Sequence, residues 1–237
     1  MQDFAQSVVV ITGAAGNLGQ AVAQAFAARG ARLALLDLNE EGISNTIAAL
    51  PDGTDAKAFA INLLDATSVN DCIEAVYQHF ARIDVLANIA GGFSMGPLTQ
   101  DTPDKDWDFM MNLNARSAFY TCRAAIPYML ETEGGRIINV SARAAKEGKG
   151  RMGPYCASKA AVLTLTESLA AENKFDNINV NCILPGTIDT PQNRSDMPDA
   201  DFDKWVPPAA LADVVAFLAS DSARCVTGAA IPVYGQS

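Results

Sequence analysis

A tyrosine and a lysine four residues apart, in the run Tyr155-Cys156-Ala157-Ser158-Lys159, are the residues of this sequence best suited to chemistry. On a helix that spacing places both side chains on one face, one turn from each other. A phenol alone titrates near pH ~10. A neighbouring ammonium favours the phenolate and lowers that value, so the phenol can serve as acid or base near neutrality. The helix that would pair them is predicted over residues 155–173, where Ala160, Val162, Leu163, Leu165, Leu169 and Ala170 form an apolar stripe. Taken alone, the pair also fits a half-exposed tyrosine beside a solvated lysine, so its surroundings must decide.

A second constellation lies near the start. The β-branched run at residues 8–11 reads as a buried strand and breaks into Thr12-Gly13-Ala14-Ala15-Gly16-Asn17-Leu18-Gly19. A helix follows to about Arg29 and is stopped by Gly30. Strand, glycine turn and helix form a phosphate cradle: glycines admit a pyrophosphate close to the backbone, and the helix N-terminus offers unpaired N–H groups. The next strand, 32–36, runs into Asp37. A carboxylate there accepts hydrogen bonds from ribose hydroxyls and repels a 2′-phosphate. Leu38 and Asn39 follow rather than an arginine, which favours NAD over NADP.

The remaining elements continue the alternation. Strands are predicted at 56–61, 85–88, 136–140, 180–184 and 230–233, and helices at 68–80, 208–219 and, with interruptions, 104–129. Such alternation implies an α/β fold, a doubly wound parallel sheet with helices on both faces. No linker or repeat divides the chain, so residues 1–237 are read as one domain. Gly13, Asp37, Asn88, Val140 and Pro185 all fall at the carboxyl ends of strands, where ligands of these sheets bind.

Composition removes several other functions. A net charge of −10 disfavours binding to nucleic acid or to an anionic membrane surface. No apolar stretch approaches the ~20 residues of a membrane span, and the first apolar run is too short for a signal peptide, so a cytoplasmic protein is expected. Five scattered cysteines without a Cys-x-x-Cys pair read as reduced thiols. With His79 as the single histidine, neither a metal cluster nor a Ser-His-Asp triad is expected.

Over nearly its whole length the chain resembles the short-chain dehydrogenase/reductase family. The resemblance rests on the Thr12-Gly13 turn, Asp37, Asn88-Ile89-Ala90-Gly91, Asn114, the Tyr155/Lys159 pair and Pro185-Gly186-Thr187-Ile188-Asp189-Thr190, which occur in the family's order. It implies a Rossmann-type sheet of about seven strands, a homodimer or homotetramer, and hydride exchange between NAD and a small hydroxy/oxo substrate. By the same resemblance Tyr155 is the acid/base, and Lys159 holds the nicotinamide ribose and lowers the tyrosine pKa. Asn114 positions a water in a proton relay, and Ile188 and Thr190 meet the carboxamide end of the cofactor. The cofactor would further be held by Gly13, Gly16, Asn17, Leu18, Gly19, Asp37, Asn62, Leu63, Asn88, Ala90, Gly91, Pro185 and Gly186.

Three positions depart from the family pattern. Its second turn glycine is Asn17 here, which tolerates positive φ and is a good N-cap. The acidic residue near the adenine is Asn62. The serine that polarises the carbonyl, thirteen residues before the tyrosine, is Ala142. Ser141 is adjacent, but alternation along a strand turns its hydroxyl away. The substrate is expected against Ser141, Ala142, Arg143, Met152 and Tyr155. Between them Arg143, Lys146, Lys149 and Arg151 form a basic loop, either solvated or meeting an anionic substrate or replacing the missing donor. The segment 192–207 is read as the substrate lid. Two functions follow: an oxidoreductase for a small alcohol/carbonyl pair, or a catalytically silent NAD-binding relative that serves as a partner subunit or sensor.

Overall fold

The computed structural model describes residues 4–236. Seven parallel strands form one sheet in the order β3-β2-β1-β4-β5-β6-β7. They are β1 (Val8–Thr12), β2 (Arg32–Asp37), β3 (Ala56–Ala60), β4 (Val85–Asn88), β5 (Gly135–Val140), β6 (Ile178–Pro185) and β7 (Ala230–Val233). This is the Rossmann-type α/β arrangement that the alternating pattern predicts. The sixth strand is longer than its apolar run suggests, because Asn179 and Asn181 inside it bond backbone carbonyls of the 224–226 turn and so remain buried.

Every residue of β1 is buried. Its alternate side chains feed two separate cores, one on each face of the sheet. Val9 and Ile11 join Leu33, Leu35, Ile138 and Ile183 beneath α1 (Asn17–Ala27) and α8 (Pro208–Ala219). Val8 and Val10 join Ala34, Leu36, Leu86 and Ile137 on the other face, beneath α3 (Ala66–Phe80), α5 (Ser117–Glu131) and α6 (Gly153–Asn173).

Helix starts follow local chemistry. Asn39 accepts from the Gly42 N–H at 3.0 Å to open α2 (Glu40–Ala48), and Asp65 accepts from Thr67 at 2.9 Å to open α3. Pro154 sits in the first turn of α6, which starts at Gly153, two residues earlier than predicted. The helix expected over 104–129 is interrupted: α4 (Asp104–Met110) passes through a π-type turn, Met111–Arg116, into α5. The predicted lid contains α7 (Pro191–Asp196) and a 3₁₀ turn, Phe202–Lys204. Among the described residues no helix is long and apolar enough to cross a membrane.

Candidate active site

The strand order reverses between β1 and β4, and the carboxyl ends there open into a cleft of about 1160 Å³. Two of the three turn glycines are required by packing. Gly13 has φ +67, and a Cβ on it would lie 2.8 Å from the Cα of Ala90; a Cβ on Gly19 would strike the Gly13 carbonyl. Gly16 is the N-cap of α1, has room for a Cβ and makes no side-chain cap bond. The first turn therefore presents N–H groups with no side-chain acceptor. Gly13, Gly16, Leu18 and Gly19 line the cleft. Asn17 corrects the sequence reading: it is the first residue of α1, exposed, neither a cap nor at positive φ, and it does not line the cleft.

Asp37 joins the glycine turn to the second strand. Its Oδ2 accepts from the Ala15 N–H at 3.1 Å and its Oδ1 from Asn39 at 3.0 Å. Ile61, Asn62 and Leu63 line the same end; among the described residues the basic side chains that line the cleft, Arg143, Lys149 and Lys159, all follow β5 in the chain. Asn88, expected at the cofactor, is turned into the protein. Its amide donates to Asn139 at 2.9 Å and its oxygen accepts from Thr121 at 2.7 Å, which locks β4, β5 and α5 together beneath Ala90 and Gly91.

Asn114 is buried in the π-type turn. Its Oδ1 accepts from the Gly92 N–H at 2.9 Å; its Nδ2 donates to the Gly92 carbonyl at 3.1 Å and to Ser158 at 3.0 Å. Ser158 in turn donates to the Tyr155 carbonyl at 2.8 Å. Asn114 thus clamps the loop after β4 to the start of α6, and its side chain stands behind the cleft wall rather than on it. Gly91 is needed for this approach, since a Cβ there would lie 2.8 Å from Asn114 Oδ1 and 2.9 Å from Lys159 Nζ.

Tyr155 and Lys159 both reach the cleft. The ammonium of Lys159 donates to the Val140 carbonyl at 3.0 Å, and burial lowers its pKa to about 8. Burial also pushes the Tyr155 phenol up to about 12, with Cys156 adding to the rise. The lowering of the tyrosine by the lysine that the resemblance implies does not show in the cofactor-free protein. In the protein alone desolvation governs both groups, and the ammonium is directed at a backbone carbonyl. The Tyr155 hydroxyl has no protein hydrogen-bond partner among the described residues. The phenol is therefore open to a ligand in the cleft.

Ala142 is buried in a small cluster with Ala144 and Cys156 that packs against Met152 and Tyr155. The Ser141 hydroxyl donates to the Lys159 carbonyl at 2.7 Å, so it is engaged with α6 and does not replace the missing donor. Arg143 pairs with Glu147 at 3.3 Å and covers the Tyr234 ring at 5.2 Å. Arg151 donates to the Gly96 carbonyl at 3.1 Å. Lys149 lines the cleft mouth, and Lys146 does not. Pro185, Gly186, Thr187 and Ile188 line the far side, whereas the Thr190 hydroxyl caps α7 by accepting from the Asn193 N–H at 3.2 Å and stays off the cleft.

Sequence reasoning missed the apolar side chains Phe93, Met95, Phe109 and Leu113 of the cleft, and Ser158 behind it. Phe93 follows Gly91-Gly92 directly, which was the available signal, and Ser158 stands inside the Tyr155–Lys159 run.

Comparison with known proteins agrees with this architecture. The family model described as short chain dehydrogenase matches residues 7–201. The chain is 36% identical to a D-threitol dehydrogenase of Mycolicibacterium smegmatis, over 96% of this chain and 91% of that one. It is 33% identical to a 2,5-dichloro-2,5-cyclohexadiene-1,4-diol dehydrogenase of Sphingobium indicum, over 98% and 96% of the two chains. The crystal structure of an NAD⁺-bound xylitol dehydrogenase superposes with a TM-score of 0.90 at 28% identity, covering 98% of this chain and 99% of the other. With the family model matched over most of its length and its strand order, glycine turn and Tyr155/Lys159 pair in place, this chain belongs to the short-chain dehydrogenase family.

Proposed function

We propose that the protein interconverts a small secondary alcohol and its ketone with NAD(H), and that Tyr155 carries the proton. The observation behind this reading is the convergence of Tyr155, Lys159 and Gly91 at the sheet's switch point, with Gly91 bare against Lys159 Nζ. The residues present fit a dinucleotide. Gly13, Gly16 and Gly19 leave backbone open for a pyrophosphate, Asp37 faces the cleft at the end of β2, and Pro185 to Ile188 close the opposite end. A bound nicotinamide would supply or accept the hydride. The chain's own part is proton transfer and charge. The neutral Tyr155 hydroxyl donates to the carbonyl oxygen during reduction and recovers the proton during oxidation. The Lys159 ammonium stabilises the phenolate left behind. Asp37, with the basic side chains that line the cleft all following β5 in the chain, supports NAD over NADP.

The protein is further read as a cytoplasmic homo-oligomer. Five unpaired cysteines support a reducing compartment, and exposed Trp107, Phe119 and Phe217 supply apolar area for contact between copies.

Ala142 favours a second reading, a silent NAD-binding relative, since it carries no hydroxyl and that of Ser141 is engaged with the Lys159 carbonyl. Fluorescence titration with NADH and NADPH, followed by turnover over a panel of secondary alcohols, separates the readings. The expected result is tighter NADH binding and measurable oxidation. Equal or tighter NADPH binding overturns the cofactor assignment, and NADH binding without turnover selects the silent relative.

A further inference from the structure

We propose that the substrate is an apolar alkyl or carbocyclic ketone or alcohol, recognised by hydrogen bonds only at its reacting oxygen; this rests on the reading of Tyr155 given above. The Phe93 ring stands edge-on to Tyr155, with centroids 5.0 Å apart and planes at 85°. A carbonyl brought to the Tyr155 hydroxyl therefore lies against Phe93. Met95, Phe109, Leu113, Met152 and Met197 line the same cleft, and Met152 packs with Tyr155 against one cluster. Phe93, Met95 and Phe109 remain 57%, 63% and 50% exposed, so their apolar surface faces the cleft region and is not consumed by packing.

Several polar side chains of the cleft are already engaged within the protein. Asn193 donates to the Ile188 carbonyl at 2.8 Å, Asp196 accepts from Gln192 at 2.8 Å, and Ser141 donates to Lys159. Lys149 stands exposed at the mouth. A polyol hydroxyl buried here would lose water and compete with these bonds for a partner, whereas a methylene would gain burial. The wall is also fastened in place. The Gly96 N–H donates to the Arg151 carbonyl at 2.8 Å, and Arg151 Nε donates back to the Gly96 carbonyl at 3.1 Å. Arg151 holds φ +66 within this clasp, an unfavourable conformation for a non-glycine residue that the two bonds maintain. The clasp ties the loop carrying Phe93 and Met95 to the segment that enters α6.

The test is a series of methyl ketones of four, six and eight carbons, set against polyhydroxy ketones of equal length, with NADH as reductant. For the apolar series kcat/KM is expected to rise about fourfold per methylene, and each polyhydroxy ketone to fall about a hundredfold or more below its apolar counterpart. Met95→Gln, on an exposed position that folding tolerates, should flatten the series while NADH affinity holds. A flat or falling series, or preference for the polyhydroxy ketones, overturns the proposal. The same ketones are also titrated into the NADH complex by calorimetry. Affinity that rises with chain length in the absence of any turnover supports the apolar pocket and removes the catalytic reading. Affinity independent of length overturns the pocket assignment whatever the turnover.

Discussion

Ser141 and Ala142 are neighbours with opposite fates. The hydroxyl of Ser141 holds the α6 backbone, and Ala142 is buried in a small apolar cluster against which Tyr155 packs. A carbonyl reduced here gains negative charge with Tyr155 as its one identified side-chain donor. A preorganised second donor is commonly worth ~2.7–4 kcal/mol of barrier. Since Ser141 is engaged and Arg143 is paired with Glu147, Ala142→Ser should raise kcat for an accepted ketone by about tenfold with NADH affinity unchanged. Steady-state kinetics check this, and an unchanged or lower rate would show that another group already fills the role.

Lys159 is the other residue under strain. Burial depresses its pKa from 10.5 to about 8. Between these values the unfolded chain binds the proton and the native chain does not, so stability rises with pH across that window; below it the cost is constant, at about 3 kcal/mol. Lys159→Met should therefore stabilise the cofactor-free protein at pH 7 by up to about 3 kcal/mol, less the lost bond to Val140. The gain should shrink as pH approaches 10.5, and activity should be lost. Urea unfolding at several pH values measures it.

At the scale of elements, the π-type turn does the positioning. It widens the helix at Asn114 and lets one amide hold Gly92 from both sides and Ser158 across the gap. Asn114→Ala leaves Gly92 N–H and C=O without these partners. It should cost about 2–3 kcal/mol in denaturant unfolding and lower kcat more than it raises KM, because it frees the loop and α6 start around Tyr155. None of this was legible in the sequence. The pattern over 104–129 reads as mostly helix without showing where it is interrupted, because a π-type turn adds a residue without changing composition. The strands were legible, since β-branched runs such as Val8–Thr12 between glycine and proline breaks have few alternatives. The side chains of Asn17 and Asn88 were not legible for a shared reason: residue type signals a polar role, but only the backbone path shows that one faces solvent and the other the β4–β5 network.

For the whole molecule, the sheet's switch point brings the glycine turn, Asp37 and the α6 pair to one edge from positions more than a hundred residues apart. The motif order in the sequence carried that much. Of the apolar wall only Met152 was read from the sequence; Phe93, Met95 and Phe109 were not, because the 93–95 loop and the helix carrying Phe109 share no spacing with it. A ligand bound across that edge couples both ends of the chain. At a concentration a hundred times its Kd, NADH should add about 2.7 kcal/mol and raise Tm by about 5–10 °C. Calorimetric scans with NADH and NADPH read the difference, and no shift with either would argue against a cofactor in this cleft.

The most direct test separates binding from proton transfer. Tyr155→Phe keeps the ring against Phe93 and removes only the hydroxyl, which makes no protein hydrogen bond among the described residues. Single-turnover NADH oxidation at saturating ketone should fall by about 10²–10⁴-fold, with NADH affinity within about twofold of the unsubstituted protein. A Tyr155→Phe protein that retains most of its single-turnover rate would contradict the assignment of the proton to Tyr155.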